Sequence, residues 1–68
     1  MPVIIFNSTH QALLAEKALE DEGLTIDIVP LPPGLSADCG LAIEFAAPDE
    51  PVIKALLADR RIEYRGIF

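Results

Sequence analysis

Val3-Ile4-Ile5-Phe6-Asn7-Ser8-Thr9-His10-Gln11 is the stretch from which the fold is read. Four apolar residues in a row, three of them β-branched, fit a short central strand buried on both faces. The polar run behind them opens a helix. Ser8 stands as N-cap with Gln11 three positions on, the spacing of a capping box. In that motif each side chain takes up a backbone N–H that the helix leaves orphaned. Ala12, Leu14, Ala15, Ala18 and Leu19 then recur at helical spacing, with Glu16, Lys17 and Glu20 toward water. Gly23 is a natural stop, because it accepts positive φ without a Cβ penalty.

Outward from there, Leu24-Thr25-Ile26-Asp27-Ile28 alternates with period two, as a half-buried edge strand does. Pro30-Leu31-Pro32-Pro33-Gly34 is expected to stop it, since proline cannot donate to a ladder, and Pro30 to Asp38 reads as a stiff loop. Leu41-Ala42-Ile43-Glu44-Phe45 is a third strand. Pro48-Asp49-Glu50-Pro51 marks a second helix, with Asp49 as its cap and proline tolerated in the first turn. Val52, Ile53, Leu56 and Leu57 form its apolar stripe, and Arg60-Arg61 suit the negative end of its dipole. Ile62-Glu63-Tyr64-Arg65 with Ile67-Phe68 reads as the last strand.

The expected order is β-α-β-β-α-β, two split βαβ units. Right-handed crossovers put both helices on one face of the sheet. The expectation is therefore an α+β, ferredoxin-like sandwich: one domain over residues 1–68, with a four-stranded antiparallel sheet in the order 4-1-3-2. Strands 2 and 4 are its edges, and a homodimer through a sheet edge is the oligomer this plan allows.

Sixty-eight residues with 51% hydrophobic content make one domain with a rich core for its size. Eleven acidic residues against five basic ones give a net charge of −6. Nucleic-acid binders neutralise phosphates with clustered Lys and Arg, and nothing beyond Arg60-Arg61 clusters here, so neither nucleic acid nor an anionic membrane is an expected partner. No apolar run approaches a bilayer span, and no secretory leader pattern is present, so the expected location is the cytoplasm. One cysteine permits no internal disulfide. His10, Cys39 and Asp38 make a poor metal set, so neither a metal nor a cofactor is expected. A hydrolase triad has no credible basis around a single histidine.

Under the expected topology, the end of strand 1, the start of helix 1 and the loop entering strand 3 share one edge of the sheet. Asn7, Ser8, Thr9 and His10 lie on one side of that edge, and Ser36-Ala37-Asp38-Cys39-Gly40 on the other. The free N–H groups and partial positive charge of a helix N-terminus favour a thiolate over a thiol, as does a nearby cationic histidine. Cys39 is therefore the candidate reactive group. Thr9 and His10 would hydrogen-bond its sulfur, Gly40 would admit a second sulfur atom or a protein, and Asp38 would oppose the thiolate unless it points away. The plainer readings stand beside these. A lone cysteine at a strand start is commonly a small buried hydrophobe, His10 a solvated surface residue, and Ser8 simply a cap.

With these residues laid out, the chain resembles a family of small proteins described as selenium/sulfur-carrier-like. The resemblance runs through Phe6 with Ser8-Thr9-His10, Ala12-Leu13 and Glu16-Lys17. It continues in Pro30-Leu31-Pro32, in Leu35-Ser36-Ala37-Asp38-Cys39-Gly40-Leu41-Ala42 and in Gly66-Ile67-Phe68. One departure is Pro33, where a basic residue is expected after the second proline of the loop, so no anion contact is implied there. The resemblance implies that Cys39 accepts sulfur or selenium as a persulfide or selenosulfide. Gly40 would be its access point and Ser8, Thr9 and His10 its stabilising surround, with Ser36 and Asp38 completing the candidate site. The implied partners are sulfur or selenium donor and acceptor proteins, and the implied role is that of a carrier without turnover of its own. A competing reading is a regulatory or adaptor module with a structural cysteine. A metal chaperone completed by a second chain is the weaker third.

Overall fold

The computed structural model describes residues 1–31 and 41–68. Its elements are β1 (Val3–Ile5), α1 (Thr9–Asp21), β2 (Ile26–Pro30), β3 (Leu41–Phe45), a 3-10 turn at Ala47–Asp49, α2 (Glu50–Asp59) and β4 (Gly66–Ile67). The strands form one four-stranded sheet in the order β2-β3-β1-β4, which reads 4-1-3-2 from the opposite edge. Every neighbouring pair is antiparallel. The architecture is α+β: an open antiparallel sheet with two helices.

The two faces of the sheet carry different cores. Ile4, Phe6, Ile43 and Phe45 point to one side and pack with Ala12, Ala15, Ala18 and Leu19 of α1 and with Ile53 and Leu57 of α2. Both helices therefore cover that face. Val3, Ile5 and Ala42 point the other way and form a smaller cluster with Val29 and Leu31. Alternation along each strand accounts for the division, and it is why β1 and β3, buried on both faces, are almost wholly apolar.

The helix boundaries have local causes. Ser8, in an extended conformation, accepts the Gln11 N–H on its Oγ at 3.2 Å. The expected reciprocal half of the capping box is replaced by a tertiary contact: the Gln11 side-chain oxygen accepts the Glu63 N–H at 3.2 Å. At the other end Gly23 takes φ +80°. Its N–H bonds to the Glu20 carbonyl, and the Leu24 N–H bonds to the Leu19 carbonyl. These two bonds are a Schellman motif. Leu24 is thereby part of the cap, and β2 runs over Ile26–Pro30 instead of Leu24–Ile28. Pro30, expected to end the strand, is its last paired residue, opposite Leu41. An edge strand has an outer side where a missing N–H is harmless.

Other expectations shift as well. Leu14 is 42% exposed and Val52 50%, so neither belongs to a buried stripe. The buried face of α1 is made by Ala12, Ala15, Ala18 and Leu19, and Leu14 lies off it. Asp49 occupies the N-cap position of α2 but makes no side-chain cap bond, because the 3-10 turn before it already gives it helical φ and ψ. Arg60 and Arg61 lie past the end of α2, Arg60 as its C-cap and Arg61 at φ +57°. The last strand is shorter than expected, Gly66–Ile67, with Val3 and Phe68 exchanging two backbone bonds beyond it. Ile62 goes instead to the helix-side core.

Candidate functional site

The polar run Asn7–His10 leaves β1 and begins α1. Asn7, Thr9 and His10 are exposed and Ser8 is half-buried. The helix carries no acidic residue in its first turn, so nothing within that turn offsets the positive end of its dipole. Of the first N–H groups, Gln11 is taken by the Ser8 hydroxyl oxygen and Ala12 by the Ser8 carbonyl. Those of Thr9 and His10 can find no intrahelical carbonyl, a consequence of helix geometry. Serving as a cap does not consume the Ser8 hydroxyl, which keeps its own proton to donate.

The sheet register brings the start of β3 to this same edge. Ile5 stands opposite Ala42, and the register continued by one step sets Leu41 level with Phe6. Thus Asn7–His10 and Leu41, more than thirty positions apart in sequence, meet at one end of the sheet. Cys39, Gly40, Asp38 and Ser36, the other half of the expected site, lie outside the described residues.

Two structural links escaped the sequence reading. The Gln11 side chain ties the first turn of α1 to Glu63, fixing how the helix start sits against the segment that leads into β4. Arg60 Nη2 meets Glu22 Oε1 at 3.2 Å and joins the two helix C-caps. No local pattern signals either, because the partners are 52 and 38 positions apart. An open groove of about 240 Å³ runs between α1 and the segment after α2, lined by Leu14, Lys17, Ala18, Asp21, Arg60 and Ile62. None of Asn7–His10 lines it. Among the described residues, no group of three or more His, Cys, Asp or Glu side chains could hold a metal ion. No described helix is long and apolar enough to cross a membrane.

What fold and site define together is a class: a small α+β protein that sets a helix N-terminus with no acidic residue in its first turn beside the entry to a buried central strand. The particular family follows from comparison with known families. The chain belongs to the family described as "Putative Se/S carrier protein-like", whose model matches residues 1–68, the whole chain. Comparisons with curated proteins and with solved structures return no match.

Proposed function

We propose that this protein is a sulfur or selenium carrier that holds the chalcogen on Cys39 and passes it to an acceptor protein, and that residues 1–68 are one ferredoxin-like domain built for that task. The observation that carries the reading is membership of the carrier-like family over the whole chain. The register Ile5 to Ala42 supports it, because it sets the exposed first turn of α1 beside the start of β3. Cys39 is two residues before Leu41, and chain connectivity keeps their Cα atoms within about 7 Å.

The transfer is a thiolate exchange. The Cys39 thiolate attacks the terminal sulfur of a donor persulfide, a new S–S bond forms to Cys39, and the donor S–S bond breaks. The donor cysteine leaves as a thiolate that takes up a proton, and the terminal sulfur arrives as a persulfide on Cys39. Nothing is oxidised overall, so no cofactor enters. Selenium follows the same path as a selenosulfide. The N–H groups of Thr9 and His10 and the dipole of α1 favour the thiolate, with Ser8, Thr9 and His10 as hydrogen-bonding surround and Gly40, Ser36 and Asp38 flanking the sulfur. A reducing, cytoplasmic setting with dedicated donor and acceptor proteins suits such a group.

The test is alkylation of Cys39 in the folded protein across pH, followed by mass spectrometry after incubation with a persulfide donor. The expected result is an apparent pKa below the roughly 8.5 of a free cysteine, rising in His10→Ala, together with a mass gain of one sulfur atom that Cys39→Ser abolishes. Alkylation only on unfolding, with no mass gain, would sink the carrier reading.

A further inference from the structure

One row of side chains crosses the sheet on the face turned away from the helices. The registers pair Asp27 with Glu44 and Glu44 with Val3, and Val3 exchanges two backbone bonds with Phe68. Asp27, Glu44, Val3 and Phe68 therefore stand side by side on β2, β3, β1 and the end of β4. Three features of this row bear on recognition. Two carboxylates face each other directly across an antiparallel pair, a destabilising arrangement. The five Lys and Arg residues of the sequence all lie outside β1, β2 and β3. Ion pairs among the described residues join Lys17 to Asp21, Lys54 to Glu50 and Arg60 to Glu22, leaving Asp27 and Glu44 out. And Phe68, 59% exposed, lays its ring back over Gly66, where an added Cβ would meet it at 3.0 Å. The ring is thus held along the sheet with its outer surface open.

We propose that this face docks an extended, basic segment of a partner protein. One Arg or Lys of the segment would sit between Asp27 and Glu44, and one apolar side chain would rest on the open face of Phe68. The charge is complementary: two unpaired carboxylates on a chain of net charge −6 take a cation. The spacing follows from the sheet. Strands lie about 4.8 Å apart, so the middle of the carboxylate pair and Phe68 at the outer edge are about 12 Å apart, some four residues of extended chain, whose side chains at i and i+4 point to the same side. Acidic groups on both β2 and β3 exclude an acidic partner at this face and speed the approach of a basic one. This inference concerns recognition and stands apart from the reactivity of Cys39.

The probe is a capped pentapeptide, Arg-Ser-Ser-Ser-Leu, titrated into the ¹⁵N-labelled protein and followed by amide chemical shifts, with Glu-Ser-Ser-Ser-Leu as control. The expected result is a shift map centred on Val3, Asp27, Glu44 and Phe68. Binding should weaken several-fold with added salt and in Asp27→Asn/Glu44→Gln, and the Glu peptide should show none. Phe68→Leu should weaken it less than the charge variant. A map centred instead on Glu16, Glu20, Asp21 and Glu22 of α1, where carboxylates are more numerous, would reduce the effect to general charge attraction and overturn the proposal. Equal binding by the double variant, or no shifts at all, would overturn it too.

Discussion

The two helices of this protein end in the same hydrogen bonds made by different residues. At the end of α1 the N–H of Gly23 reaches the Glu20 carbonyl, and that of Leu24 reaches Leu19. At the end of α2 the N–H of Arg61 reaches Ala58, and that of Ile62 reaches Leu57. Both are Schellman motifs, and in each the residue after the turn packs into the same helix-side core as the residue whose carbonyl it bonds, Leu19 or Leu57. The difference is the residue in the left-handed position, glycine at φ +80° in one and arginine at φ +57° in the other. A non-glycine residue there costs on the order of 1 kcal/mol. The arginine is held because Ile62 beyond it is buried in the helix-side core, whereas Leu24 is only half-buried. What makes the turn is the apolar residue that must come back to the core. Glycine merely lowers its cost.

The sharpest way to break that comparison is to remove the apolar residue. Ile62→Ala should destabilise the protein by about 2–4 kcal/mol and Leu24→Ala by clearly less, measured by urea unfolding. Equal losses would mean that burial does not set the strength of the motif. The left-handed position comes next. Gly23→Ala should cost about 1 kcal/mol, although nothing stands within 4 Å of the added Cβ, because the cost is in φ alone. Arg61→Gly should be neutral or stabilising by about 0.5 kcal/mol, since relief of the strained φ exceeds the entropy that glycine adds to the unfolded chain. A clear loss of stability in that variant would show that the arginine side chain itself holds the turn. The smallest effect belongs to the ion pair that joins the two caps. Glu22 and Arg60 are each more than a third exposed, so Glu22→Gln should shift stability by less than about 0.5 kcal/mol, less still in high salt.

Much of the architecture was legible in the residues because it depends on local physics. β1 and β3 are runs of apolar residues with no polar interruption except Glu44, and both are central and buried. Ser8 caps α1 and Gly23 ends it for reasons contained in four or five residues. The differences concern the ends of β2 and β4 and the buried faces of the two helices. Leu24 belongs to the cap instead of β2, Leu14 and Val52 are exposed on their helices, and Ile62–Arg65 is a connection instead of a strand, with Ile62 drawn to the helix-side core. The candidate site divides the same way. Of its residues, Ser8 to His10 begin α1 at the end of the sheet where β3 starts. Its other half, Ser36 to Gly40, lies outside the described residues.

By itself the sequence determined the element types, the buried centre of the sheet, the cap at Ser8 and membership of a carrier-like family, because periodicity, capping chemistry and family motifs are properties of neighbouring residues. Only the tertiary structure decided that Asp27, Glu44, Val3 and Phe68 form one row, that Gln11 ties α1 to Glu63, and that an arginine can occupy a left-handed turn. Each of these depends on strand register or core burial between residues far apart in the chain, and the free energy that enforces them comes from packing the whole sheet against two helices.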